Sequence, residues 1–241
     1  MKVHLFIPCF VDQLYPQTAF NMVKVLEKAC CDVKYNPNQT CCGQPAFNAG
    51  FWDEAKAVCS KFINDFSQAD YIVAPSASCV GFVRNYYSKL FQAGDYQQDE
   101  VLQLGSRIYE FTEFLTAILK IDNFGAELNM VATYHDSCAA LRECKIKAAP
   151  RQLLGNVKGL QLVEMNDVET CCGFGGTFAV KFDAISIAMA DQKVNHALAT
   201  KANCIISTDL SCLMHLDGFI KGKNLALKTM HIADVLASGW A

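Results

Sequence analysis

Thirteen cysteines stand in a chain of 241 residues, and eight of them fall into two sets with the same internal order. The first set is Cys9, Cys41, Cys42 and Cys79; the second is Cys138, Cys171, Cys172 and Cys212. In each, two cysteines are adjacent and a glycine follows, Cys41-Cys42-Gly43 and Cys171-Cys172-Gly173. Adjacent cysteines offer two sulfurs from one tight turn, and a glycine lets the backbone pass close to a bulky inorganic core. A helix beginning after such a turn favours thiolate over thiol. Thiolates are soft ligands that select iron–sulfur clusters, zinc or copper(I) over hard cations. The leading expectation is a redox-active metal centre, an iron–sulfur cluster. Zinc held by four thiolates is one alternative. Metal-free thiol–disulfide exchange is another, disfavoured because such enzymes usually separate their cysteines by two residues and a vicinal disulfide is strained.

The remaining cysteines lack this pattern. Cys30-Cys31 is also a doublet, but no glycine follows it and the second half has no counterpart, so it reads as helix-end packing. Cys59 falls on an apolar stripe and Cys204 in a strand, while Cys144, six residues past Cys138, is a candidate additional ligand. His135 and Arg142 flank Cys138; they are candidates to hydrogen-bond a cluster sulfide or to bind a substrate carboxylate, against the plainer roles of a capping His and an exposed helix Arg. His231, before a short helix, is a candidate for the site mouth or for simple capping. His215 shares a helical face with Cys212, which makes metal ligation compete with ordinary hydrogen bonding. Lys181 and Lys193 follow the second Cys-Cys-Gly and are expected to be solvated, balancing the charge of an anionic cluster.

Strands are predicted at residues 2–7, 32–35 and 70–74, and helices at 17–30, at 51–66 and after Cys79. Ala55, Val58, Cys59, Phe62, Ile63 and Phe66 make one apolar stripe on the second helix. The order then returns. NMVATYHDSC echoes MKVHLFIPC, VETCCGFGG echoes NQTCCGQPA, ANCIISTDLSC answers ADYIVAPSASC, and KTMHIADVLASG answers SRIYEFTEFLTA, with equivalent cysteines 129 to 133 residues apart. Asp122, Asn123 and Gly125 supply turn chemistry at the junction, which divides the chain into units 1–122 and 123–241. The fold class expected is α/β: two tandem pseudo-repeated units, each a small mostly parallel sheet with helices on both faces. In such a sheet the carboxyl ends of the strands share one edge, where ligands bind in a crevice. Three separated segments would deliver four sulfurs there. The polar stretch AGDYQQDE at 93–100 has no counterpart and is expected to be a surface loop.

Hydrophobic residues make up 52% of the chain, enough for a substantial core, and the net charge of −3 with scattered Lys and Arg argues against nucleic acid or an anionic membrane as partner. The N-terminal apolar run is too short for a signal-peptide core, and no stretch approaches the ~20 apolar residues of a membrane span. A cytoplasmic protein is expected, in which a disulfide framework is not. GFGG at 173–176 lacks the dinucleotide-binding spacing, so its glycines are assigned to the metal loop and hydride chemistry to another site or to the cluster.

On these residues the sequence resembles the cysteine-rich CCG family, most of all its lactate-utilisation branch; the iron–sulfur subunit of glycolate oxidase and the B subunit of heterodisulfide reductase are relatives. The resemblance runs over nearly the whole chain and is densest in CCGFGGTFAVKF, IAMADQK, SCLMHLDG, HIADVL and YHDSCAALR. It implies that the eight repeated cysteines ligate one or two [4Fe–4S]-type clusters. It further implies a part in oxidising L-lactate, or a related 2-hydroxy acid, to pyruvate, together with a ferredoxin-like iron–sulfur subunit and a third small subunit. The heterodisulfide reductase branch ends each motif in a CxxC pair and carries a non-cubane cluster. Here Cys79 and Cys212 stand alone, which leaves a conventional cluster, or a cluster in only one half, open. A heterodisulfide-reductase-like thiol/disulfide redox subunit and a structural zinc protein are the alternative functions.

Overall fold

The structure is a computed structural model that describes residues 1–91 and 97–240. The first unit runs β1 (Lys2–Leu5), α1 (Cys9–Leu14), α2 (Pro16–Lys28), β2 (Asp32–Tyr35), α3 (Gln44–Ala49), α4 (Trp52–Asp65), β3 (Ile72–Ala74), α5 (Ala77–Tyr86), α6 (Gln97–Arg107), β4 (Ile108–Glu110) and α7 (Phe111–Glu113). The second follows with β5 (Glu127–Tyr134), α8 (Cys138–Arg142), α9 (Ala148–Gly155), β6 (Lys158–Leu162), α10 (Phe178–Lys181), α11 (Asp183–Ala199), β7 (Cys204–Ser207), α12 (Leu210–Gly222), β8 (Lys228–His231) and α13 (Ile232–Leu236). Each unit forms a four-stranded parallel sheet, ordered β2-β1-β3-β4 and β6-β5-β7-β8. The expected α/β class and repeated units are what the chain adopts.

Central strands β3 and β7 are buried along their whole length, as continuous apolar runs in parallel sheets are. Pro16, with its φ already helical and no N–H to satisfy, opens α2. The stripe on α4 buries Ala55, Cys59, Phe62 and Ile63. One expectation about the elements fails. Of the stretch 93–100 read as a loop, residues 93–96 lie outside the described residues, but 97–100 form the first turn of α6. Asp99 and Glu100 in its first turn are exposed and suit the N-terminal dipole, while Val101 and Leu104 turn inward.

The units pack by reciprocal contacts. Helix α1 meets α12 while its equivalent α8 meets α5; α2 meets α13 while its equivalent α9 meets α7. Equivalent residues Ser76 and Asp209 form an isolated antiparallel bridge where these contacts cross. This is the arrangement of a two-fold dimer fused into one chain. One apolar cluster joins Val3, Leu5, Met22 and Leu26 of the first unit to Tyr134, Leu153, Ile205 and Leu236 of the second. Another, with Phe6, Phe62, Phe66 and Tyr87 at its centre, lies mainly within the first unit. Asp234 ties the halves further by accepting from Thr18 Oγ1 and Asn21 Nδ2, both at 2.9 Å. Among the described residues no helix is long and apolar enough to cross a membrane.

Candidate metal centre

Each repeated cysteine sits where a parallel strand gives way to a helix. Cys9 and Cys138 open α1 and α8, Cys79 and Cys212 lie in the first turns of α5 and α12, and the pair Cys41-Cys42 precedes α3. The positive end of the helix dipole at these starts favours negative sulfur. Because the two units face each other across the pseudo-two-fold, both sets line the same cavity, of about 470 Å³. In the first half Cys9 Sγ lies 3.8 Å from Cys41 Sγ, and Cys42 Sγ 3.5 Å from Cys79 Sγ. The second half repeats the row, with Cys171 between Cys138 and Cys172, and Cys172 reaching Cys212.

The Cys-Cys-Gly turns are built around left-handed glycines, Gly43 at φ 91° and Gly173 at φ 94°. That turn aims amides back at sulfur: Gly43 N–H donates to Cys41 Sγ and Gly173 N–H to Cys171 Sγ, each at 3.4 Å, and Phe174 N–H donates to Cys172 Sγ at 3.5 Å. At Gly173 a Cβ would stand 2.6 Å from the Ser186 carbonyl oxygen, so only glycine fits. Thiols of Cys42 and Cys9 hold Cys41 far below the usual thiol range, and Cys138 and Cys172 do the same for Cys171. Their neighbours Cys9, Cys42, Cys138 and Cys172 are pushed up, chiefly by that same sharing and by burial. Four crowded sulfurs cannot all ionise alone; a bound cation removes the repulsion and lets them. Soft donors, inward amides and a common cavity fit a thiolate-bound metal or cluster.

Between the two sulfur sets lies Asp209, a buried carboxylate that is not among the candidates drawn from the sequence. It accepts from Ser78 N–H at 3.0 Å and from the hydroxyls of Ser78 at 2.9 Å, Ser76 and Ser137 at 3.2 Å, and Ser211 at 3.3 Å. Burial raises its pKa while the serine donors oppose the shift. The signal was the exchange of APSASC for STDLSC at the equivalent turn. Arg151 was also passed over: it grips Asp136 with two bonds of 2.9 and 2.7 Å and also reaches Glu164, bracing the segment between β5 and Cys138.

The other candidates separate clearly. His135 is fully buried, and its ring joins Cys172 and Cys212 in a group whose ligand atoms all lie within 4.8 Å of one another. Arg142 is exposed at the end of α8 and does not line the cavity. His231 caps α13, its Nδ1 accepting from Ala233 N–H at 3.1 Å. His215 Nε2 lies 3.1 Å from Ser186 Oγ, which donates to the Gly173 carbonyl at 2.8 Å, so it supports the glycine turn. Cys144 is buried with its thiol on the Ala77 carbonyl at 3.4 Å; Cys59 and Cys204 are buried; Cys31 packs inward beside an exposed Cys30. Lys181 is exposed as expected, but Lys193 is not solvated. It is completely buried and donates to the carbonyls of Asp167 at 2.7 Å and Val168 at 3.1 Å. Its spacing from Ala190, Val194 and Ala197 puts it on the inner face of α11, where carbonyl groups satisfy the charge.

Comparison with known proteins agrees with this organisation. A family model described as a cysteine-rich domain, CCG, matches residues 3–84 and again 132–217. Lactate utilization protein A 2 of Bacillus cereus (strain Q1) is 39% identical over 239 residues, 99% of each chain. Lactate utilization protein A of Geobacillus sp. (strain WCH70) is 42% identical over 238 residues, covering 99% of this chain and 100% of that one. A crystal structure of a hypothetical protein from Helicobacter pylori shares the fold with a TM-score of 0.65 at 11% identity; the match covers 100% of this chain and 49% of that one, so this chain spans about half its length.

Proposed function

The chain belongs to the cysteine-rich CCG family, and from that premise we propose that it is an iron–sulfur electron-transfer subunit of an oxidoreductase that converts L-lactate, or a related 2-hydroxy acid, to pyruvate. The observation that carries the reading is the convergence of all eight repeated cysteines on one cavity. Cys9, Cys41, Cys42 and Cys79 would hold one centre, and Cys138, Cys171, Cys172 and Cys212 a second. When bound, a [4Fe–4S]-type cluster supplies reversible one-electron storage. The chain's own part is to present thiolates at helix starts, to donate backbone N–H groups to their sulfurs, and to keep an uncharged wall of Pro8, Phe10 and Val11 at the first set. The names of the full-length relatives support the lactate assignment. In this reading a ferredoxin-like iron–sulfur subunit and a third small subunit complete the system, and the protein works in the cytoplasm.

A structural zinc site is the second reading, because sulfurs 3.5 and 3.8 Å apart are spaced like the edges of a tetrahedron around one ion with metal–sulfur bonds of about 2.3 Å. Against it, structural zinc sites are closed, whereas Cys9, Cys41, Cys79, Cys138 and Cys171 keep part of their surface open to the cavity. Anaerobic purification followed by iron, sulfide and zinc analysis separates the two. Iron and acid-labile sulfide in equal amounts, with a broad visible absorption bleached by reductant, is expected. Zinc without sulfide, and a colourless protein after reconstitution, would reject the redox reading.

A further inference from the structure

The two halves differ at the metal site itself. Three residues before Cys9 stands Phe6, whose ring packs in the apolar core at 4.7 Å from Phe62 and 6.0 Å from Phe66. The residue three before Cys138 is His135. It is completely buried, and neither Nδ1 nor Nε2 has a hydrogen-bond partner. Each unsatisfied buried polar atom costs about 1–3 kcal/mol, and in native proteins such an atom has a reason. Substrate binding is not the reason, because His135 does not line the cavity. What its ring does face is sulfur. Its ligand nitrogen and the Sγ atoms of Cys172 and Cys212 lie within 4.8 Å of one another, close enough for one metal centre to take all three.

We propose that His135 is a nitrogen ligand of the second half's metal centre, so that the first half holds an all-thiolate centre and the second a mixed imidazole–thiolate one. The proposal rests on the reading above that Cys172 and Cys212 bind metal. A neutral imidazole adds no negative charge where a thiolate would, and a site with nitrogen ligation has a higher reduction potential than its all-sulfur counterpart. The second centre is then the better electron acceptor of the two. A [4Fe–4S]-type cluster has one protein ligand per iron and so four places; His135 takes one of them beside Cys172 and Cys212, and only one of Cys138 and Cys171 fills the fourth.

Histidine-selective 15N labelling tests this in a Cys41→Ser, Cys42→Ser background, which silences the first half and leaves one signal. Pulsed EPR of the reduced, anaerobically reconstituted protein is expected to show a strongly coupled nitrogen that follows the label. That coupling is lost in His135→Phe, which borrows the residue of the first half, and its reduction potential moves to a more negative value. His135→Cys keeps the iron content while losing the nitrogen coupling. An iron–sulfur signal with no label-sensitive strong coupling overturns the proposal and leaves the cluster reading standing, whether or not His135→Phe folds. Absence of any iron–sulfide centre removes the cluster reading instead. Cobalt(II)-loaded protein of the same background then decides the ligand: a label-sensitive nitrogen coupling retains His135, and its absence discards it.

Discussion

Gly173 and Gly176 lie three residues apart in the same loop, yet a methyl group would meet different surroundings at each. Both have positive φ, 94° and 62°, where a side chain costs roughly 1–2 kcal/mol. At Gly176 a Cβ meets nothing within 4 Å, whereas at Gly173 it would also strike the Ser186 carbonyl oxygen at 2.6 Å and Met189 Cβ at 2.9 Å. Gly176→Ala is expected to lose about 1 kcal/mol in denaturant unfolding and to retain metal; Gly173→Ala is expected to lose about 3 kcal/mol or more, and metal with it. Glu110 offers a pH test. Burial raises its carboxyl to about 8, and one oxygen, Oε1, has no partner while the other accepts from the N–H groups of Thr112 and Glu113. The folded protein keeps a proton that the unfolded chain releases near its ordinary value of 4.5, so stability is fully present below that value and falls as pH rises toward 8. Glu110→Gln is expected to flatten this slope, at most about 1.4 kcal/mol per pH unit, in paired unfolding curves at pH 5 and pH 8. At this scale the cysteine sets were legible, because a repeated doublet with glycine is rare. Asp209 was not, since a polar residue near a strand end looks solvated until its serine partners, drawn from three segments, are seen together.

Among the elements, α11 does more than cover a sheet. Lys193 reaches from its inner face to the carbonyls of Asp167 and Val168, four and three residues before Cys171, and so fixes the approach to the Cys-Cys-Gly turn. Cys172 and Cys171 also feel its charge. Lys193→Met should leave two buried carbonyls without their donor, at a cost of about 1.5–3 kcal/mol, and should make the reduction potential of the second centre more negative. Calorimetry reads the first effect and an anaerobic redox titration the second; an unchanged potential would mean that the charge is screened from the centre. Periodicity located β1, β2, β3, α2 and α4 of the first half to within a few residues. It failed at α6, where a polar first turn hid a helix whose apolar contacts begin only at Val101, and at Lys193, where residue type outweighed helical phase.

For the molecule as a whole, the repeat was legible but its assembly was not. Apolar residues that face the partner unit, such as Met22 and Leu236, carry no mark distinguishing them from those that face their own sheet. The shared core predicts one cooperative unfolding transition for both halves rather than two. Asp234→Ala, which strips the acceptor from Thr18 and Asn21, is expected to lower that single midpoint by the equivalent of about 1–2 kcal/mol without splitting it. Two separated transitions in calorimetry would show that the halves are independent after all.

The bridge between Ser76 and Asp209 carries a consequence for ancestry. In a dimer of identical half-length chains, whatever stands at that place meets its own copy, and a carboxylate there would be forced against a second carboxylate with water shut out. Covalent fusion lifts that restriction, because each lineage of the repeat mutates alone. An acid opposite a hydroxyl is an outcome open to joined genes and denied to a symmetric pair.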